Sequence, residues 1–524
     1  MRSPLIIGTR GSDLALWQAN HVKSLLEESG LKCELKIIKT QGDNIQHLSL
    51  DKLEGKGFFT KEIEEALLSG ETDIAVHSHK DLPTESPEEL IVAAVSPRED
   101  PSELLLIRKE AVDSRNKFSL KRNPLVGTSS ARRKAQLLAF RSDIELKDLR
   151  GNVPTRINKL RDGQYDAILL AAAGVERLEI DLKEFHVEHL SPKEFTPAPA
   201  QGVLAIQIRK GEKELFDHLQ KINDKTVAVT IGIERKILNL FQGGCQMPVG
   251  AYAEYDDENE MFSVRVSKAA AWDTMPVSVY SESKDPYVLA ARVVEKIAAV
   301  KPATVFITRN DRRDDYLQSV LEGNGFKFSG KALIETNPIT IKSLPSCDWV
   351  FFSSKNAVKY FFEQHPALTD QKYGAVGKVT ADAIRHYGKR ADFIGYGTDT
   401  RMTGKQFAAK VGNGKVLFPQ VKGSLRTIQQ QFVKHDQVID LPVYETIKRN
   451  DGDMPQADIL VFTSPSNVEA WFERFTISKD QKVVAMGDAT AHVLGQHNIH
   501  GCAKPDTFDD AGLARAVFSI SSTK

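Results

Sequence analysis

The residues able to do chemistry sit in short stretches that each follow an apolar run. Thr9, Arg10, Gly11 and Ser12 follow LIIGT. Lys52, Lys56 and Lys61 surround the Gly-rich GKGFF, which ends on Phe59. Lys80 and Asp81 follow AVHSH. Gly127, Thr128, Ser129 and Ser130 lead into Ala131-Arg132-Arg133; Arg150, Gly151 and Arg156 come next, then Arg177 after AAAG. A Ser/Thr cluster at a helix start offers hydroxyls and backbone N–H groups to an anion. Arginine adds planar, bidentate binding of carboxylate or phosphate. Taken singly, each is an ordinary surface charge or cap. Taken together, all placed after apolar runs, they point to a polyanionic ligand. Aromatic residues are 8% of the chain and form no stacking motif, which disfavours nucleic acid. A small ligand with many carboxylates fits better.

Three further features bear on chemistry. Asp81, a carboxylate among cations, is a candidate acid/base or a stabiliser of developing positive charge, with a structural ion pair as the alternative. His77 and His79 form an HxH pair, but no second ligand set lies at metal-binding spacing, so no metal is expected. Cys245, in FQGGCQMPVG, lies on a tight glycine-rich loop and is a candidate nucleophile. Cys33, Cys347 and Cys502 are assigned to packing.

The elements that must position these residues alternate. Apolar runs such as 5–9, 34–40, 73–78 and 167–174 read as strands, and stretches such as 14–29 and 60–70 as amphipathic helices. That order implies α/β units with mostly parallel sheets, whose ligands lie outside the carboxyl ends of the strands. The 524 residues carry 70 basic and 70 acidic side chains. Residues 1–300 hold 41 basic and 46 acidic, and 301–524 hold 29 and 24, so the parts differ in sign at −5 and +5. A zero total argues against a generic nucleic-acid or membrane-surface binder. Four scattered cysteines, no apolar leader and no run of 18 apolar residues lead to the expectation of a cytoplasmic protein.

A junction falls at Lys301-Pro302, and beyond it the chain repeats itself. FFSSKNAVKYFF (351–362) resembles VFTSPSNVEAWF (461–472), and AVGKVTADAI (375–384) resembles AMGDATAHVL (485–494), both at an offset of 110. Two motifs in register imply two similar α/β domains. LIETNPI (333–339) and IDLPVYETI (439–447) read as extended connectors between them.

Seven collinear motifs between about residues 3 and 300 resemble the hydroxymethylbilane synthase (porphobilinogen deaminase) family: GTRGSDLALWQA, GKGFFTKEIE, AVHSHKDLP, GTSSARRKAQL, RGNVPTR, PAPAQG and GGCQMPVG. The resemblance implies two domains like type II periplasmic binding proteins (1–97 with 197–212, and 98–196) and a small α+β third domain (213–300). It implies a dipyrromethane cofactor held covalently by Cys245, and Asp81 as the catalytic acid for loss of ammonia from porphobilinogen. Lys80, Asp81, Thr128, Ser129, Ser130, Arg132, Arg133, Arg150 and Gly151 would bind the cofactor. Arg10, Ser12, Lys52, Lys56, Phe59, Arg156, Arg177 and Gln201 would bind substrate. Ala131, Pro154 and Ala200 depart from the family's usual residues.

Residues from about 302 to 524 resemble uroporphyrinogen-III synthase through FFSSKNAV, AVGKVTADA, LPVYET, FTSPSNVEAWF and the segment from AMGDATAHVL onward. The resemblance implies two α/β domains (302–338 with 442–524, and 339–441) joined by a two-strand connector. Tyr444 would be the acid for the departing hydroxyl, and Thr380, Ser464 and Thr490 would line the cleft. The expected whole is an enzyme that polymerises four porphobilinogen to hydroxymethylbilane and closes it to uroporphyrinogen III. It would work as a monomer on small-molecule substrates, without nucleic acid or membrane. The alternatives are a deaminase with an inactive C-terminal scaffold and a non-catalytic binder of anions.

Overall fold

The computed structural model describes residues 2–40, 60–242, 247–312, 315–364, 370–395, 399–449, 453 and 455–522. The chain folds into two compact units, Met1–Val300 and Lys301–Lys524.

The first unit contains two five-stranded sheets and one three-stranded sheet. Its strands are β1 (Leu5–Thr9), β2 (Cys33–Ile37), β3 (Ile74–Ser78), β4 (Leu90–Val95), β5 (Glu103–Ile107), β6 (Leu125–Gly127), β7 (Glu145–Lys147), β8 (Ala167–Ala171), β9 (His186–Leu190), β10 (Leu204–Arg209), β11 (Val249–Asp256), β12 (Met261–Lys268) and β13 (Val277–Ser283). The orders β2-β1-β3-β10-β4 and β7-β6-β8-β5-β9 share one pattern. In each, three strands are parallel and the fourth in spatial order runs against both its neighbours. The expected mostly parallel sheets are therefore present, each with one reversed strand. The reversed β10 enters the first sheet only after the chain has completed the second.

Burial explains why these runs are strands. β5 is buried along its whole length, as a strand covered on both faces must be. In the first sheet Leu5, Ile7, Ile74, Val76, Leu204 and Ile206 pack against Val22 and Leu26 of the helix Asp13–Glu28. Ser12 caps that helix, its Oγ accepting from Ala15 N at 3.4 Å. Two strand ends differ from expectation: the run 34–40 is strand only to Ile37. The run 167–174 is strand only to Ala171, and Ala172–Arg177 turns into a helix. Short alanines carry no β-branch to favour the pleat.

The second unit comprises β14 (Thr304–Ile307), β15 (Lys327–Gly330), β16 (Ile334–Pro338), β17 (Trp349–Phe352), β18 (Lys372–Ala375), β19 (Phe393–Ile394), β20 (Val416–Val421), β21 (Val438–Lys448), β22 (Ile459–Phe462) and β23 (Lys482–Ala485). They form the sheets β15-β14-β22-β23 and β16-β21-β20-β17-β18-β19. β17, the helix Lys355–Phe362, β18 and the helix Lys378–His386 recur 110 residues later as β22, Pro465–Phe472, β23 and Asp488–Gln496. β16 and β21 pair antiparallel from Ile334↔Lys448 to Pro338↔Tyr444, forming the two-strand connector.

Candidate active sites

In the first unit the loops at the carboxyl ends of β3, β6 and β7 gather charge around Asp81. Lys80 and Asp81 lie in a single 3-10 turn directly after β3. Lys80 Nζ donates to Gln201 Oε1 at 3.2 Å, and Gln201 Nε2 donates to the carbonyl of Pro101 at 2.8 Å. Burial pushes the Lys80 ammonium down to about 8, with Asp81 and Glu103 opposing and Arg133 and Arg132 assisting. Burial also lowers Arg156 to about 10; Arg133 and Arg150 add to this and Asp81 opposes it. Asp81 itself is exposed. A carboxylate reachable by solvent, with cations on either side, is placed to exchange protons with an incoming amine.

Glu103, the first residue of β5, organises the cluster and was not singled out from the sequence. Its side chain is fully buried. Its two oxygens accept from Arg132 Nη2 and Arg133 Nη2, each at 2.6 Å. The other Nη atoms donate to the carbonyls of Thr196 and Leu169, both at 3.0 Å. Burial alone would raise the Glu103 pKa; the two guanidiniums outweigh it and hold the carboxyl at about 2. The arginines are thus fixed by their inner faces. A carboxylate opening an apolar run (ELLLI) was the only signal for Glu103.

The remaining expected residues differ in how far the structure places them. Ser130 caps the helix Ala131–Phe140, Thr128 is buried, and Ser129 Oγ donates to Leu149 O at 3.0 Å. Gly151 sits at φ +111°, where a Cβ would lie 2.7 Å from Thr155 Cγ2, so glycine is required. Arg156 Nε donates to Gly151 O at 2.7 Å. Arg177 is buried, donates to Gly202 O at 2.8 Å and lies over the Trp17 ring at 5.6 Å. Arg10 follows β1, half-buried. Lys52, Lys56, Phe59 and Cys245 lie outside the described residues. His77 and His79 are buried and held near 4, chiefly by desolvation, hence neutral. Among the described residues no group of three or more His, Cys, Asp or Glu is placed to hold a metal ion.

This donor set suits a polycarboxylate cofactor. The Nε atoms of Arg133 and Arg177 are buried donors with no acceptor among the described residues, the kind of vacancy a bound carboxylate fills.

Ala200 adopts φ +61° and donates its N–H to Glu234 Oε2 at 2.6 Å. Glu234, fully buried on the helix Lys225–Leu240, also accepts from Arg98 Nη1 and from Ala253 N, both at 2.7 Å. This carboxylate ties the third sheet to the segments that link the first two.

The second unit's site has a different make-up. Tyr444 on β21 is buried, stacks on Tyr360 at 5.4 Å and lies 3.3 Å from Ser354 Oγ. Desolvation raises its pKa, the Ser354 contact lowers it and Tyr360 raises it again, so the phenol keeps its proton. Ser464 caps its helix through Asn467 N at 3.3 Å. Thr490 Oγ1 bonds back to Met486 O at 3.2 Å, and Thr380 is buried at the corresponding place in the other copy. Ser354, the counterpart of Ser464, is the member brought to Tyr444; the repeat itself was the signal for it.

Two mixed sheets of one topology, with a cation cluster beside Asp81, place the first unit in an α/β class, and a second α/β unit of internally repeated design follows. Family models agree. "Porphobilinogen deaminase, dipyromethane cofactor binding domain" matches residues 5–217, and the family's C-terminal domain matches 228–269. "Uroporphyrinogen-III synthase HemD" matches 315–515. Porphobilinogen deaminase of Sulfurimonas denitrificans is 46% identical over 256 residues, 48% of this chain and 80% of that protein. The Maridesulfovibrio salexigens enzyme is 40% identical over 297 residues, 56% of this chain and 94% of its own length. A uroporphyrinogen-III synthetase structure from Helicobacter pylori aligns with 40% of this chain and 96% of its own at 17% identity, with a TM-score of 0.30. The chain belongs to the porphobilinogen deaminase family and carries a uroporphyrinogen-III synthase domain after it. It is a multifunctional enzyme of tetrapyrrole and heme biosynthesis, transferase and lyase in one polypeptide. Its N-terminal part is the domain type that binds the dipyrromethane cofactor.

Proposed function

We propose that Cys245 carries the dipyrromethane and that the cation cluster around Asp81 receives its carboxylates and those of the growing chain. When bound, the cofactor supplies the free pyrrole carbon on which the product is built. Lys80, Arg132, Arg133 and Arg150, with the hydroxyls of Thr128, Ser129 and Ser130 and the close backbone at Gly151, hold it. Arg10, Ser12, Arg156, Arg177 and Gln201 orient porphobilinogen, with Lys52, Lys56 and Phe59 over the opening. Asp81 gives a proton to the leaving amine and then offsets the positive charge that develops on the pyrrole. The observation that carries this reading is the position of Asp81 beside Lys80 and Arg156, both of which also face Arg133.

The first unit then divides as 1–97 with 197–212, 98–196 and 213–300, and the second as 302–338 with 442–524 and 339–441. In the second unit Tyr444, kept protonated, donates to the departing hydroxyl, while Thr380, Ser464 and Thr490 line the cleft. The substrates are the small molecules porphobilinogen and hydroxymethylbilane, and the enzyme works as a monomer in the cytoplasm. No helix among the described residues is long and apolar enough to cross a membrane.

The test is intact mass and product analysis of the full chain. A two-pyrrole mass excess, lost in Cys245→Ser, is expected, with uroporphyrinogen III as product. An unmodified protein that ignores porphobilinogen would overturn the first assignment. Formation of isomer I alone would overturn the second and favour a scaffold role.

A further inference from the structure

The second unit's two repeats diverge at one chemically telling place. Both copies run strand, serine cap, helix, and both caps accept from a backbone N–H within the first turn. The first residue inside the helix is Pro465 in one copy, the residue that position favours. In the other it is Lys355. A cation at a helix N-terminus opposes the helix dipole. Lys355 also makes no hydrogen bond or ion pair among the described residues.

What faces Lys355 deepens the anomaly. Arg309 and Arg312 follow β14, on the opposite domain of the unit, and both act electrostatically on Lys355. Both Nη atoms of Arg309 are engaged: Nη2 holds Asp315 at 2.8 and 2.9 Å and Nη1 holds Asp510 at 2.6 Å. Asp315 is also committed to its own helix, accepting from Leu317 N at 3.0 Å. Among the described residues Arg312 pairs only with Asp510, at 3.7 Å, beyond hydrogen-bond reach, and its side chain is 44% exposed. Among the described residues three cations therefore share two carboxylates: Asp315 takes two bonds from Arg309, and Asp510 gives Oδ1 to Arg309 and turns Oδ2 toward Arg312. Lys355 is solvent-accessible yet hemmed in: enclosure lowers its pKa most, then Arg312 and Arg309, with Asp510 opposing. The unpaired positive charge lies one residue from Ser354, whose Oγ is 3.3 Å from the Tyr444 hydroxyl.

We propose that Lys355 and Arg312 together form a carboxylate receptor of the cyclisation site, taking an acetate or propionate of the linear tetrapyrrole and fixing the reacting end beside Tyr444. The proposal rests on the synthase reading above and names the groups that recognise its substrate. The receptor spans the two domains, so a bound carboxylate supplies a counter-charge that the described residues do not give Lys355. It also explains why a residue unfavourable to its helix occupies this place: local stability is given up for binding, as at many functional sites.

The experiment uses the full chain, with Lys355→Gln, Arg312→Gln, the double variant and Lys355→Arg. Freshly made hydroxymethylbilane is the probe; the readouts are KM, kcat, the III to I isomer ratio and the unfolding midpoint. The expected result is a KM raised tenfold or more in each Gln variant with kcat changed less than threefold. The double variant adds isomer I formed by unassisted closure. Lys355→Arg restores KM to within about threefold. The unfolding midpoint of Lys355→Gln stays level or rises, because a charge opposed to the helix dipole is gone; a structural role would lower it. Unchanged KM in the double variant, with wild type still making isomer III, overturns the receptor and leaves the synthase reading intact. Wild type making isomer I alone overturns both.

Discussion

On the proposed reading, the two candidate sites handle related polycarboxylates with opposite strategies. Around Asp81 the cations are numerous and braced from within: Glu103 fixes Arg132 and Arg133, and Gln201 fixes Lys80. Around Tyr444 the immediate contacts are a hydroxyl and an aromatic ring, and a separate charged cluster gathers Arg309, Arg312 and Asp510. The difference follows from the tasks. A site that retains a growing chain through successive additions needs fixed charge for every added carboxylate. A site that closes one chain once needs a shape and a few anchors. Pre-set charge in a half-buried site is also expensive to maintain, so it needs an internal carboxylate such as Glu103.

The sharpest way to break this contrast is to remove the brace. Glu103→Gln leaves two buried guanidiniums facing a neutral amide. It is expected to destabilise the first unit by about 3–5 kcal/mol and to abolish cofactor loading, with cyclisation of added hydroxymethylbilane retained. Denaturant titration of the full chain, followed by both activities, checks this. Next comes Asp81→Asn, which keeps shape and removes the acid. Ammonia release should slow by about 10²–10⁴-fold, measured by single-turnover consumption of porphobilinogen, with intact mass showing how much cofactor was assembled. Tyr444→Phe removes one hydrogen-bond donor, worth about 1 kcal/mol. Isomer III formation should fall by no more than about tenfold. A loss as large as that of Asp81→Asn would end the claim that the second site works mainly by shape.

A pH series sharpens the comparison further. Lys80 titrates near 8, below the ordinary lysine value. As pH rises through 8 it loses its charge, and KM for porphobilinogen should climb several-fold. Stability moves the other way. Between 8 and the ordinary lysine range the unfolded chain holds a proton that the folded chain has shed, so the Lys80 contribution improves as pH rises. A KM that stays flat from pH 7 to 9 would remove Lys80 from carboxylate binding. The smallest effect concerns Ala200, which pays for φ +61° without a glycine's freedom. Ala200→Gly should stabilise the first unit by about 1 kcal/mol, read as a rise in unfolding midpoint.

Much of this was legible in the chain. The motif GTSSARR announced a capped helix with two arginines, and Ser130 caps it. The 110-residue offset announced duplicated domains, and strands and helices recur at that spacing. The run AILLAAAG misled at its end, because apolarity alone does not separate a strand from the helix that follows it. Glu103 and Glu234 were missed for another reason. A buried carboxylate looks like any other acidic residue until its partners are known, and those partners are 29 and 30 residues away for Glu103 and 136 for Arg98 with Glu234.

By itself the sequence determined the two enzyme families, the repeat, the helix caps and the residue types proposed to meet the substrate, because these depend on local order and spacing. Tertiary structure alone decided which charges are compensated. Arg309 finds Asp510 across 201 residues, while Lys355 forms no ion pair among the described residues. Charge pairing depends on distance and burial in three dimensions, falling away with separation and strengthening out of water, and linear spacing carries neither.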